Sequence, residues 1–235
     1  VGRKNDKRSS TDALAPWCID KSDVILAQLD RLEELLAPIA PKCLALLEGN
    51  HETAQLEHNA RDVFSDFVMR IGRAAGLDAT RAHTLALGYE GFLDLRFHYS
   101  PKGNTTGHNW RLSVYAHHGH GGGRKMGSPA LTMEDTMGRY EADLFLMGHR
   151  HMLMGFPQTI VCPDVKRGYK LKQRWGAWGG SYLGGFIPDD ANGRPNVNYA
   201  QLKGLPIRAT GGVHAVINPI DREIALVLGG GTGAA

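Results

Sequence analysis

Three times along this chain a short apolar run ends abruptly in glycine and histidine. Glu48-Gly49-Asn50-His51-Glu52 follows residues 43–47, His117-His118-Gly119-His120 follows residues 111–116, and Gly148-His149-Arg150-His151 follows residues 143–147. Apolar runs this short read as buried strands, and α/β folds bind their ligands beyond the carboxyl ends of strands. A fold that aligns three such ends along one sheet edge gathers several imidazoles and an amide. Imidazole suits zinc, iron, manganese and related ions, with oxygen donors filling the remaining positions. The pattern points to a transition-metal site.

The surrounding chain is that of a globular α/β protein. Its 235 residues are 42% hydrophobic and 22% charged, enough to bury a core without staples and too apolar for wholesale disorder. Ser22-Asp23 offers an N-cap for a helix carrying Val24, Leu26, Leu29, Leu32, Leu35 and Leu36, and Pro38 and Pro41 stop it. A second helix is expected with Leu56, Ala60, Val63, Phe64, Phe67, Val68 and Ile71 on one face, ending near Gly76. Strands are expected over 84–87, 92–99, 159–165, 169–175, 213–217 and 223–228, with a turn at Asn218-Pro219-Ile220-Asp221. Ser128 is placed to cap a helix running to about Tyr140. Residues 1–21 read as a loop and 229–235 as a flexible, glycine-rich tail. With no internal repeat and no linker, residues 1–235 read as a single domain.

Several partners are excluded or narrowed by arithmetic. No run approaches the roughly 18 apolar residues that a spanning helix needs, and the first residues lack a signal-peptide pattern, so no membrane partner is expected. Lys and Arg number 27 against 24 Asp and Glu, a formal charge of +3 that suits an anionic substrate. It falls short of the basic stripe expected of a dedicated nucleic-acid binder. Cys18, Cys43 and Cys162 are odd in number and form no Cys-x-x-Cys pair, which favours a reducing, cytoplasmic compartment. Nothing in the sequence sets an oligomeric state.

The order Gly-Asn-His-Glu, then His-Gly, then Gly-His-x-His, each at a strand end, resembles the calcineurin-like metallophosphoesterase superfamily. The likeness runs from Cys43 to His151 and takes in three of that family's five motifs. More softly, Gly179-Gly180-Ser181-Tyr182-Leu183, the stretch from Asn198 to Leu202 and the final hairpin are similar to the second sheet of its phage and bacterial members. The resemblance implies a four-layer α-β-β-α sandwich with two mixed sheets, α+β in class. It implies two divalent ions, with Mn²⁺ first in expectation and Fe, Zn, Ni or Mg as alternatives. Asn50, His118 and His149 would hold one ion and His151 the other. His51 would protonate the leaving oxygen or stabilise charge on the phosphate, and Glu52 would orient His51. The implied reaction is hydrolysis of a phosphate mono- or diester by metal-bound hydroxide.

The first two family motifs, Asp-x-His and Gly-Asp-x-x-[Asp/Asn], occur nowhere in the chain. They supply the bridging Asp and most ligands of the first ion, and the expectation is that they lie upstream of Val1, leaving the domain N-terminally incomplete. Two further functions compete with small-ester hydrolysis: a DNA exo- or endonuclease with the same motifs, and a non-catalytic binding module that has lost the first metal site. Among the central histidines, His118 matches the family position best, while His117 and His120 remain alternatives. His58, His83, His98, His108 and His214 lack clustered partners and read as structural. Gly121-Gly122-Gly123-Arg124-Lys125 is open to reading as a phosphate cradle, a lid or a plain loop, and Arg150 as a substrate contact or a solvent-exposed residue. Trp175 and Trp178 read as sheet-packing residues rather than base-stacking platforms.

Overall fold

The structure is a computed structural model that describes residues 16–19, 21–100, 108–122, 125, 127–182, 204 and 209–231. The chain divides into two compact units, Val1–Glu90 and Gly91–Ala235. Both contain helices and sheets, and the fold is α+β, with three sheets among the described residues, one of them mixed.

In the first unit, helix α1 (Pro16–Ile19) precedes α2 (Val24–Leu36). Asp23 caps α2 as expected, its side chain accepting the Leu26 N–H at 3.0 Å, and the Arg61 guanidinium grips the same carboxylate at 2.7 Å. The capping N–H, foremost, and Arg61 hold the Asp23 carboxyl below its usual range. Beyond Leu36 the chain tightens into a 3₁₀ turn over Ala37–Lys42, since a backbone with Pro38 and Pro41 cannot donate the bonds of a continuing α-helix. Strand β1 is only Leu46–Leu47, and it pairs in parallel with β2 (Ala86–Gly88). The expected five-residue buried strand is therefore corrected: these two residues are half-buried, and Leu44 is 60% exposed.

The second expected helix is two helices, α3 (Asn50–Asn59) and α4 (Val63–Ala74). Ala60 breaks them apart in a left-handed conformation at φ 51°, and Asp62 restarts the chain by accepting the Ser65 N–H at 2.9 Å. Helix α4 buries Val63, Phe64, Val68 and Ile71 against Ala40 and Leu85. A fifth helix, α5 (Ala79–His83), was not expected from the sequence. It lies so close to α4 that a side chain at Gly72 would collide with Ala82. Arg70 fastens α4 to α2 through Asp30 and Glu33, and also bonds Asp66 one turn back.

The second unit is built on a five-stranded sheet ordered β3 (Glu90–Tyr99), β4 (His108–His117), β5 (Leu144–Met147), β7 (Gly168–Gly179), β6 (Leu153–Asp164). Strands β4, β5 and β7 run parallel, and β6 closes one edge antiparallel to β7. Alternation sorts the side chains onto two faces. Tyr115, Phe145, Met147 and Trp178 meet Met133 and Met137 of helix α6 (Gly127–Arg139). Leu112, Val114 and Leu144 meet Ala215, Ile217, Ile224 and Leu226 of the antiparallel pair β8 (Thr210–Asn218) and β9 (Glu223–Gly231). The unit is thus layered helix, sheet, ribbon.

Glycine sets the helix-to-sheet distance. A Cβ on Gly176 would stand 2.7 Å from Met133 Cγ and 2.9 Å from Met137 Sδ. Trp178 is buried and donates its indole N–H to the Pro129 carbonyl at 3.1 Å, as a sheet-packing residue should. The turn at Asn218 also forms as read, its side-chain oxygen accepting the N–H groups of Ile220 and Asp221. Several boundaries are corrected: β6 begins at Leu153 rather than at residue 159, and β7 runs on to Gly179 rather than ending at residue 175. Gly229–Gly231 belong to β9 rather than to a loose tail, because they pair with Thr210–Gly212. Helix α6 begins at Gly127, so Ser128 sits within its first turn instead of capping it. Pro16–Ile19 is helical inside the stretch read as a loop. The remainder of that loop except Lys21, most of the similarity after Tyr182, Arg124 and residues 232–235 lie outside the described residues.

Candidate functional site

The parallel strands β4, β5 and β7 all end on the same side of the sheet, and the histidines follow β4 and β5. The register closes with His117 opposite Met147. One step further, the Gly148 N–H donates to the His118 carbonyl at 3.1 Å and carries the ladder into the loops. Gly119, at φ 101°, presses against Gly148 so closely that a Cβ there would run into the Gly148 carbonyl. A Cβ on Gly148 would in turn lie 3.0 Å from the His118 oxygen. Side chains are excluded at both glycines so that two backbones can touch.

That approach brings His118 and His149 together, with ring centroids 5.2 Å apart and planes at 65°. Two imidazoles bound to one ion at about 2.0–2.1 Å would hold their rings roughly 5 Å apart. His149 and His151 both adopt left-handed backbone, at φ 68° and 51°, with Arg150 N–H donating to the Gly148 carbonyl between them at 2.8 Å. Each left-handed residue costs about 1–2 kcal/mol for a side chain with a Cβ. Strain of this kind collects at functional sites.

The other candidates each have a place. His117 Nδ1 accepts the Gly119 N–H at 2.6 Å, which ties that ring to its own loop. His120 is exposed and lies edge-on to His117, with ring centroids 5.5 Å apart. His151 is exposed, and its Nδ1 is 3.1 Å from Ser181 Oγ, which follows β7 and is 3% exposed. Sequence reading gave Ser181 no role at the site, because a lone serine after a strand carries no signal. Arg150 is half-buried, its guanidinium bonded to Ser128 Oγ at 3.0 Å and directed at the His120 carbonyl at 3.5 Å. It fastens the histidine loop to α6. Of the histidines read as structural, His98 is exposed and bonds Asn109 across the sheet edge at 2.6 Å.

Asn50, His51 and Glu52 belong to the first unit, where they correct the expected loop: all three lie in the opening turn of α3. Gly49, extended at φ −108°, provides the N-cap, and Thr53 closes the turn through its N–H and hydroxyl to the Gly49 carbonyl, both at 3.1 Å. Thr53 Oγ1 also reaches Glu48 Oε1 at 3.1 Å. All four of Asn50, His51, Glu52 and Thr53 are half-buried. Consecutive positions on a helix point about 100° apart, so a Glu52–His51 pair has to bend back across the turn rather than stack side by side.

Among the described residues, no group of three or more His, Cys, Asp or Glu side chains is arranged to hold a metal ion. Within the second unit, the imidazoles that meet are His118 and His149, both half-buried. In charge the sheet is anchored by Asp143. Burial pushes its carboxyl up, but the Ser113 N–H at 2.8 Å and Lys172 at 2.9 Å outweigh that and hold it below the usual range. No family model, curated protein or solved structure matches the chain.

Proposed function

We propose that this chain hydrolyses phosphate esters with the help of divalent metal ions, in the manner of the calcineurin-like metallophosphoesterases that its motifs resemble. The observation that carries the reading is the pairing of His118 with His149 at the ends of adjacent parallel strands, bought with backbone strain at His149. In this reading a bound ion would supply Lewis acidity and activate water. His118 and His149 would hold that ion, Ser181 holds the His151 ring by its Nδ1, and Arg150 keeps the loop seated on α6. By the resemblance, His51, in the opening turn of α3, would deliver the proton to the leaving oxygen.

Calorimetric titration with Mn²⁺, alongside hydrolysis of bis-p-nitrophenyl phosphate, tests the reading. Because the family's bridging Asp has no counterpart in these 235 residues, the chain is expected to take up at most one ion, weakly, with slow turnover. His118→Ala and His149→Ala should each lower Mn²⁺ affinity at least about tenfold, since the remaining ring competes poorly with water. His51→Ala should keep the metal and lose about 10²–10⁴-fold of the turnover. Mn²⁺ binding that is indifferent to both His118 and His149 would sink the proposal. Equal metal loss from His51→Ala and His149→Ala would show the roles to be misassigned.

A further inference from the structure

Strands β6 and β7 outrun the rest of their sheet. Strand β5 pairs with β7 only from Trp175 to Trp178, whereas the β6–β7 ladder continues to Asp164 and Gly168. The projecting ribbon carries two adjacent cross-strand pairs on one face, Val161 with Leu171 and Pro163 with Tyr169. Val161, Tyr169 and Leu171 are each more than 60% exposed, and Val165 at the turn is fully exposed. Cations crowd the same tip: Lys166 and Arg167 in the turn, and Lys170 on the opposite face of the ribbon from Tyr169 and Leu171, are exposed and make no ion pair among the described residues. The nearest acid, Asp164, is turned inward to accept the N–H groups of Lys166 and Arg167 at 2.9 and 3.0 Å.

We propose that this ribbon is a docking surface for an anionic lipid bilayer. The chemistry required is an apolar face of a few side chains, an aromatic hydroxyl at the level of the headgroups, and cations within one turn of both. The ribbon presents all three. Charge complementarity selects against a second copy of the chain, which would bring the same three cations to the contact. Nucleic acid is disfavoured by the aliphatic side chains, which have no use against a phosphate backbone. Distance also separates the ribbon from the histidines. The 12 residues of β7, rising ~3.3 Å each, place the tip about 36 Å from the Ser181 end. The surface therefore anchors the molecule rather than reads its substrate, and it stands whether or not the proposed hydrolysis does. No helix among the described residues is long and apolar enough to cross a membrane; the expectation of no membrane partner rested on the lack of a spanning run, which a surface contact does not need.

Co-sedimentation of the full chain with vesicles of phosphatidylcholine and phosphatidylglycerol (3:1) tests the proposal, with pure phosphatidylcholine vesicles, single-stranded DNA and duplex DNA as parallel arms. Binding is expected to the anionic vesicles only. The triple variant Lys166→Glu, Arg167→Glu, Lys170→Glu should lower partitioning by about 10²-fold or more. Val165→Asp with Leu171→Asp should abolish it, while circular dichroism shows the fold retained. As a measurement that leaves the surface intact, Tyr169→Trp should blue-shift its emission when anionic vesicles are added and be quenched by brominated lipid. Absence of vesicle binding, binding indifferent to these substitutions, or binding to DNA instead would each overturn the proposal.

Discussion

Gly148-His149-Arg150-His151 follows a four-residue strand paired on both sides within a five-stranded sheet. Gly49-Asn50-His51-Glu52 follows a two-residue strand with one neighbour. In the first case the backbone is held by contact: Gly119 against Gly148, a left-handed turn, and Arg150 reaching to α6. In the second it is held by helix formation, with Gly49 as the cap and Thr53 closing the turn. Two motifs of similar spelling thus fix their side chains by different physics. The sheet version stores strain and depends on steric fit; the helix version is relaxed and depends on end capping.

The largest expected effect breaks the sheet version. Gly119→Ala forces a side chain into left-handed backbone and into the Gly148 carbonyl, and should cost about 3 kcal/mol or more by urea unfolding. Gly88→Ala, also at positive φ but with open space around its Cβ position, should cost only about 1–2 kcal/mol. Similar losses at the two positions would show that backbone contact is not what shapes the histidine loops.

A middle-sized effect tests the anchor of the same sheet. Asp143→Ala removes an acceptor for the Ser113 N–H and a partner for Lys172, and should cost about 1–3 kcal/mol. The folded-state carboxyl lies below its unfolded value, so its contribution is present at neutral pH and disappears as pH falls through the depressed folded value. Unfolding midpoints at pH 7 and pH 3 should therefore differ less in Asp143→Asn than in the wild type. An equal acid loss in both would remove Asp143 from the account.

The smallest effect sharpens the contrast. His149→Gly relieves the left-handed strain and should leave stability unchanged or raise it by up to about 1 kcal/mol, while abolishing the imidazole pair. A clear loss of stability would mean that the contacts of the His149 ring outweigh the backbone strain.

Much of the second unit was readable in the sequence, because alternation marks the two faces of its strands. Trp178, the helix through Met133 and Met137, and the Asn218 turn each follow from local pattern. The first unit was less legible. The apolar spacing from Leu56 to Ile71 continues smoothly through Ala60, and nothing in that spacing shows that the chain turns left-handed there. Helix α5 is too short to establish a periodicity. At the histidine loops the motifs located the residues, but Ser181 and the Arg150–Ser128 bond depend on β7 and α6 arriving from distant sequence.

The seat of α6 has a consequence for the histidines. Its two methionines rest on Gly176, and unbranched thioethers fill a contact without locking it to one position. The helix also carries Ser128, the residue that grips Arg150 between His149 and His151. Volume added or removed beneath the methionines would therefore be read out at the far end of the lever, as a change in imidazole spacing. Tuning this site requires no substitution within it.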